Sequence, residues 1–186
     1  MPGTPVHSAH LPGTPVGTLK LWATDRGLRR LDFRTGPDLA PPGERLITGD
    51  PPAHLRATLQ RLQDYFGGRI QDFGDVPLDL GALTDFQLEV YQHLRTIRPG
   101  HVTTYGAISR ALGLGDGGAR AVGQAVGANP TAVVIPCHRV VGADHALHGY
   151  SGGLPRKAAL LRLEGIVVDG EEATSRVRPE ELRLPL

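Results

Sequence analysis

Residues 129–141 read Asn129-Pro130-Thr131-Ala132-Val133-Val134-Ile135-Pro136-Cys137-His138-Arg139-Val140-Val141, and the rest of the chain is best understood outward from them. The apolar run 132–135 has the composition of a buried strand. Proline ends it, and the single cysteine of the 186 residues follows, with His138 and Arg139 beside it. Nearby cations favour thiolate, the reactive form of cysteine. A histidine can take the thiol proton directly or through water, and a carboxylate can orient that histidine. Cys137 and His138 therefore read as a nucleophile and its base, set against the plainer alternative of a small buried hydrophobe.

Upstream, Thr84-Asp85 are capping residues before Phe86, Val90, Leu94 and Ile97, a helix ended by Pro99-Gly100. Thr103-Thr104 precede a shorter helix, Tyr105 to Leu112. A turn, Gly113-Leu114-Gly115-Asp116-Gly117-Gly118, leads to a third helix from Ala119 to Val126. The last two helices fit a helix-turn-helix. Downstream, a Gly- and His-rich loop (142–153) leads to a helix that Pro155 opens and Glu164-Gly165 closes.

Two charges in these helices oppose the helix dipole. Arg120 lies in a first turn and Glu164 in a last turn, each unfavourable by about 0.3–1 kcal/mol when exposed. Each misfit points to an outside partner: phosphate or bases for Arg120, a histidine for Glu164. Gln124 shares the outward face of Arg120 at i, i+4, and Ala119, Val122 and Val126 are expected to face inward. The helix is also small-faced, with Ala119, Ala121, Gly123, Ala125 and Gly127, which suits close approach to another surface.

The N-terminal part carries no catalytic cluster. Val16–Thr24 and Leu28–Phe33 flank Asp25-Arg26-Gly27 as a hairpin, and residues 35–52 form a Pro- and Gly-dense loop. Leu55, Leu59, Leu62 and Phe66 define a helix from His54 to Phe66, closed by Gly67-Gly68, and 72–80 read as a short strand or connector. His7 and His10 fall near a terminus expected to be mobile. The expected fold is α+β: a small α+β domain (1–82), a mainly helical domain with a helix-turn-helix and the cysteine (83–170), and a charged tail (171–186).

Composition narrows the function classes. The formal charge of +1 conceals an uneven distribution: residues 1–85 carry 9 basic and 10 acidic side chains, 86–165 carry 8 and 4, and 166–186 carry 3 and 5. The basic segment is the one that holds Cys137, a modest footprint for phosphate. A lone thiol excludes a disulfide scaffold and suits a reducing cytoplasm. No apolar run approaches the ~20 residues of a membrane helix, and the N-terminus lacks a signal-peptide pattern. No Cys-x-x-Cys, His-Glu-x-x-His or Walker loop is present, so neither metal nor cofactor is expected.

Ala119-Arg120-Ala121-Val122-Gly123, Asn129-Pro130, Ile135-Pro136-Cys137-His138-Arg139-Val140, Gly149-Tyr150-Ser151-Gly152-Gly153, Arg156-Lys157 and Leu163-Glu164-Gly165 occur in this order. Over about residues 84–166 the chain closely resembles the O6-alkylguanine-DNA alkyltransferases, whose active-site signature is Pro-Cys-His-Arg. The resemblance implies direct reversal of O6-alkylguanine, or of O4-alkylthymine, by irreversible single-turnover transfer to Cys137. His138 would take the thiol proton through a water, with Glu164 holding the imidazole. Tyr105 would donate toward guanine N3 and crowd a phosphate, and Arg120 would fill the gap left by the flipped base. Tyr105, Arg120, Ala121 and Gln124 would meet the minor groove of double-stranded DNA. Asn129, Val140 (through its carbonyl), Tyr150 and Ser151 would shape the pocket. A cytoplasmic monomer without cofactor or membrane contact is implied.

The chain departs from the family's pattern at four places: an added residue in Gly115–Gly118, Tyr91 where tryptophan is frequent, Asp144-His145 in place of an Asp-Gly turn, and His148 in the pocket loop. Two other classes remain open at this point, a non-catalytic binder of alkylated bases and a Cys-His thiol hydrolase or acyltransferase.

Overall fold

The computed structural model describes residues 3–33, 40–170 and 175–178. Part of the expected 35–52 loop and most of the expected tail lie outside them. The chain divides into two compact units, residues 1–71 with 75–82, and residues 72–74 with 83–186. The fold is α+β, with a sheet and one helix in the first unit and mainly helices in the second.

In the first unit the expected hairpin is β2 (Gly17–Ala23) and β3 (Leu28–Asp32), antiparallel, with Leu21 opposite Leu31. The sheet also contains β1 (Thr4–Thr14) and β4 (Glu44–Leu46), in the order β3-β2-β1-β4, with β4 parallel to β1. His7 and His10 sit in β1, opposite Ala23 and Lys20, and do not belong to a mobile terminus. The Pro12-Gly13 step in β1 obscured the alternation that marks a strand. Helix α1 (Ala53–Phe66) buries Leu55, Thr58, Leu62 and Tyr65 on one face. Residues 72–80 contribute a single bridge, Leu28 to Leu78. Gly27 allows that approach, because a Cβ there would fall 2.7 Å from the Pro77 carbonyl oxygen.

The second unit is arranged around its cysteine. Thr84 and Gln87 form a reciprocal capping box at the start of α2 (Asp85–Thr96), which buries Val90, Tyr91 and Leu94. Strand β5 (Thr103–Thr104) pairs in parallel with β6 (Val140–Val141), and Thr104 caps α3 (Tyr105–Ala111) by accepting from the Ala107 N–H. That pairing brings Tyr105, first residue of α3, to the segment just after the cysteine. A 3-10 turn (Asp116–Gly118) then enters α4 (Ala119–Gly127), whose inner face is Val122, Ala125 and Val126. Gly118 is required by space: a Cβ would meet Leu114 Cβ at 2.6 Å and Ser109 Oγ at 2.4 Å.

Two local expectations change. Ala132–Ile135 is buried but is no strand; Ala132 and Ile135 bridge across a tight turn, with Val133 at φ +74°. Cys137 consequently starts a 3-10 turn (Cys137–Arg139), not the end of a strand. The apolar run signalled burial correctly, but the backbone shape was set by Asn129, whose side-chain oxygen accepts from the Thr131 N–H at 3.0 Å. Helix α5 (Leu154–Leu163) follows, with Pro155 in its first turn. Residues 168–169 (β7) and 176–177 (β8) then pair antiparallel, so part of the segment expected as a tail is strand.

Tyr91, at the position where tryptophan was noted as frequent, donates its hydroxyl to the Ala125 carbonyl at 3.1 Å and so ties α2 to α4. That carbonyl also accepts from the Ala128 N–H, so it keeps a partner when the hydroxyl is removed. Tyr91→Phe is expected to lower unfolding free energy by about 1 kcal/mol, measured by denaturant titration.

Candidate active site

The site is built from a turn, the ends of two helices and one loop. Cys137 is buried, and its sulfur accepts a hydrogen bond from Asn129 Nδ2 at 3.0 Å. The same amide nitrogen donates to the Ile135 carbonyl at 2.8 Å. One side chain therefore fixes the turn and points an N–H at the thiol. Burial pushes the Cys137 thiol above its ordinary value, and the Asn129 hydrogen bond and the Lys157 charge only partly offset this. The resting group is a neutral thiol and needs a base.

His138 supplies one. Its Nε2 lies 3.0 Å from Glu164 Oε1, and both side chains are fully buried. Burial pulls the imidazole below its ordinary value, and the attraction of Glu164 does not reverse this. A neutral ring facing a carboxylate must carry its proton on Nε2 and donate it there. Nδ1 is left as the basic nitrogen, and it is buried with no hydrogen-bond partner among the described residues.

Glu164 is the C-terminal cap of α5, where a negative charge opposes the helix dipole. Burial also pushes its carboxyl up, yet His138 and Arg139 outweigh burial and hold it well below the usual carboxylate range. Arg139 makes a two-pronged contact, Nε to Oε2 at 2.9 Å and Nη2 to Oε1 at 2.7 Å. Its Nη1 donates to the Ile97 carbonyl at the C-terminal cap of α2. Arg139 is thus the structural partner of Glu164, a role the sequence reading did not assign. Its direct sequence neighbourhood to His138 was the available signal, since a carboxylate near one turn residue is within reach of the next.

Lys157 was also missed as a functional residue. It is fully buried, and its ammonium donates to the carbonyls of Val140 (2.7 Å) and Leu147. Burial pulls it down to about 8. With 18 Arg and only 2 Lys in the chain, a lysine among Ala158, Leu160 and Leu161 was the clue.

Tyr105, Cys137, Tyr150 and Ser151 meet around one recess, together with Gly123, Val126, Gly127 and Gly149. Its volume is about 30 Å³, room for a water rather than a base. Burial, and then the nearby Cys137, push the Tyr105 hydroxyl above its ordinary value, so it remains a donor. Asn129 stands behind the sulfur and does not line the recess. The Val140 carbonyl is occupied by Lys157 and does not line it either. Arg120, Ala121 and Gln124 are exposed on the outer face of α4, and Arg120 has no ion pair or hydrogen bond among the described residues. Ala121 and Gln124 border a groove of about 290 Å³ with Thr84, Phe86 and Gln87 of the α2 start. Among the described residues no group of three His, Cys, Asp or Glu side chains is placed to hold a metal. None of the described helices is long and apolar enough to cross a membrane.

Glu164→Gln leaves Arg139 buried without its counter-charge, which is expected to cost about 3–5 kcal/mol at pH 7. The native carboxyl lies below its ordinary value of 4.5. The parent's advantage over the variant is therefore present above that pH and shrinks as pH falls through the native value. Denaturant unfolding of both proteins between pH 7 and pH 3 measures this convergence.

The geometry agrees with comparisons to known proteins. The family model for the DNA binding domain of 6-O-methylguanine DNA methyltransferase matches residues 85–166, and that for its ribonuclease-like domain matches residues 10–80. A methylated-DNA–protein-cysteine methyltransferase of Mycobacterium tuberculosis is 43% identical over 151 residues, covering 81% of this chain and 88% of that protein. One from Methanosarcina acetivorans is 36% identical over 152 residues, covering 82% and 94%. The crystal structure of Mycobacterium tuberculosis OGT in complex with DNA superposes with a TM-score of 0.72 at 41% identity, covering 86% of this chain and 92% of that one. With its buried Cys-His-Glu arrangement and relatives of this kind, the chain belongs to the methylated-DNA–protein-cysteine methyltransferase family.

Proposed function

We propose that this protein repairs O6-alkylguanine in double-stranded DNA by moving the alkyl group onto Cys137, once per protein molecule. The observation that carries this is the paired state of the site: a neutral buried thiol held by Asn129, beside a neutral imidazole whose Nε2 is taken by Glu164. The imidazole has one task left, to accept a proton at Nδ1.

In the reaction the thiol proton passes to His138 Nδ1 through a water, and the sulfur attacks the carbon attached to O6. The new S–C bond forms as the C–O bond breaks. The base leaves with that electron pair and takes up one proton from the Tyr105 hydroxyl, and the proton held on His138 then restores that hydroxyl through water, so neither product retains a charge. The Tyr105 hydroxyl donates toward guanine N3, where negative charge builds. A general acid in such a position contributes typically about 10²–10⁴-fold. Glu164 stabilises the imidazolium while it exists, as a buried carboxylate does for a catalytic histidine. The thioether has no ready hydrolytic path, so the protein is consumed.

The base must leave the helix to reach a buried sulfur, at a cost of a few kcal/mol in lost stacking and pairing. Arg120, exposed on a helix with small residues on either side, is suited to enter the stack from the minor groove and occupy the gap. Ala121 and Gln124 would lie against the backbone on the same face. Tyr150 and Ser151 would border the extruded base, with Ser151 near O6. Residues 83–170 would carry both DNA contact and chemistry, and the protein would act as a monomer in the cytoplasm, where a single reduced cysteine is maintained.

Duplex DNA carrying O6-methylguanine with a labelled methyl group tests this reading. Mass spectrometry of peptides is expected to find the label on Cys137 alone, with one methyl per protein at saturation. Arg120→Ala should slow transfer from duplex DNA while leaving transfer from the free modified base unchanged. More than one turnover per protein, or label absent from Cys137, would contradict it.

A further inference from the structure

The recess at Cys137 has walls of three kinds: α4, the Tyr105 ring at the start of α3, and the loop Gly149–Ser151. The first two belong to helices. The loop emerges directly from a small hairpin, in which the Gly142 N–H donates to the Ala146 carbonyl at 2.9 Å and the His145 N–H to Gly142 at 3.0 Å. His145 (φ +65°) and His148 (φ +41°) both take the left-handed conformation, which costs free energy in a non-glycine residue. Such residues persist where their surroundings over-determine them.

Lys157 holds the Leu147 carbonyl and Asp144 pairs with His148, and residues 175–178 supply the rest of the surroundings. The Leu147 N–H donates to the Ser175 carbonyl at 3.1 Å, and the Val177 N–H donates to His145 at 3.0 Å. Ala146 and Arg176 form an antiparallel bridge. Arg176 Nη1 donates to the Asp144 carbonyl at 2.8 Å, and Nη2 lies 3.7 Å from the Asp144 carboxylate. On its other edge β8 pairs with β7, Val177 opposite Val168. Val177 and Leu147 are buried in one cluster with Val141, Leu161, Ile166 and Val168. All of these strand residues lie beyond 85–166, the stretch matched by the DNA-binding family model.

We propose that Ser175–Arg178 is a positioning strand for the substrate pocket: it clamps the 142–148 hairpin and so limits how far the Gly149–Ser151 wall moves to admit an alkyl group. The inference rests on the function proposed above and adds what governs its substrate range. A recess of about 30 Å³ must widen to receive an alkylated base, and the loop is the wall not built from helix. With the clamp in place the opening is small and favours small alkyl groups. Loosening it misplaces the wall, which slows methyl transfer, and relaxes the penalty on bulk.

Four full-length variants test the clamp at a temperature where each is folded. Arg176→Ala removes the side-chain contacts to Asp144, and its exposed position spares the core. Val177→Pro removes the N–H that bonds His145. Arg69→Ala, which removes an exposed ion pair with Asp64 in the first unit, is the control, and Arg176→Lys is the conservative rescue. Amide exchange in peptides covering 145–151 is expected to quicken about tenfold in the first two and not in the control, with partial restoration by lysine. The ratio of butyl to methyl transfer rates from the same duplex is expected to rise at least about threefold in the first two. Unchanged exchange at 145–151 overturns the clamp, and so does an unchanged ratio where exchange has quickened. If the parent transfers no alkyl group at all, the functional reading fails, and the exchange measurement still decides whether the strand holds the loop.

Discussion

The carboxylate of Glu164 is shared by His138 and Arg139, and the organisation of the second unit depends on that sharing. A buried carboxylate alone would take up a proton, since burial is the largest influence on it and acts upward. His138 and Arg139 together prevent this, and Arg139, by binding both oxygens, anchors the turn after Cys137 to the end of α5. Through its third contact, to the Ile97 carbonyl, it also anchors that turn to the end of α2. One arginine therefore joins two helix termini and helps His138 keep charged the carboxylate that orients the histidine. The chemistry at His138 is downstream of a structural ion pair.

Charge balance around the sulfur follows from the same cluster. Arg139 and Lys157 are buried cations and Glu164 is the buried anion near them. A transient thiolate at Cys137 would supply the second negative charge, which is why Lys157 draws the thiol downward while the thiolate would draw Lys157 upward. Burial still dominates, so the thiol rests protonated and its charge appears only when His138 accepts the proton. Such a site is protected against adventitious oxidation and alkylation, because the reactive form is scarce until a substrate is in place. For a protein that is consumed by one reaction, that scarcity preserves it for DNA.

Much of this could be read from residue order. The capping residues Thr84-Asp85, the glycines after α1 and Pro155 at the head of α5 marked helix ends because each satisfies a local backbone need. Glu164 was visible as a charge on the wrong end of a helix, and its partner was foreseen as a histidine. The strand expected at Ala132–Ile135 failed for a reason that composition does not carry: Asn129 bonds the backbone at Thr131 and at Ile135, the two sides of a turn in which Val133 is left-handed. Strand β1 was hidden by its proline and glycine. Arg139 and Lys157 stand inside legible motifs, but their roles are not legible there, because their partners are 25 residues away at Glu164 or are backbone carbonyls that no side-chain pattern announces. The pairing of β8 with the pocket hairpin is likewise a main-chain contact between segments remote in sequence, which side-chain periodicity does not encode.

The central claim is that His138 stands neutral, with its proton on Nε2 toward Glu164 and Nδ1 open as the base. Nitrogen-15 NMR of the histidine-labelled, unreacted protein at pH 7 observes this directly. The account predicts one histidine in the neutral Nε2–H tautomer that resists protonation as pH is lowered through 6.5, its signal assigned by loss in His138→Asn. An imidazolium at His138 at pH 7, paired with a preformed Cys137 thiolate, would contradict it.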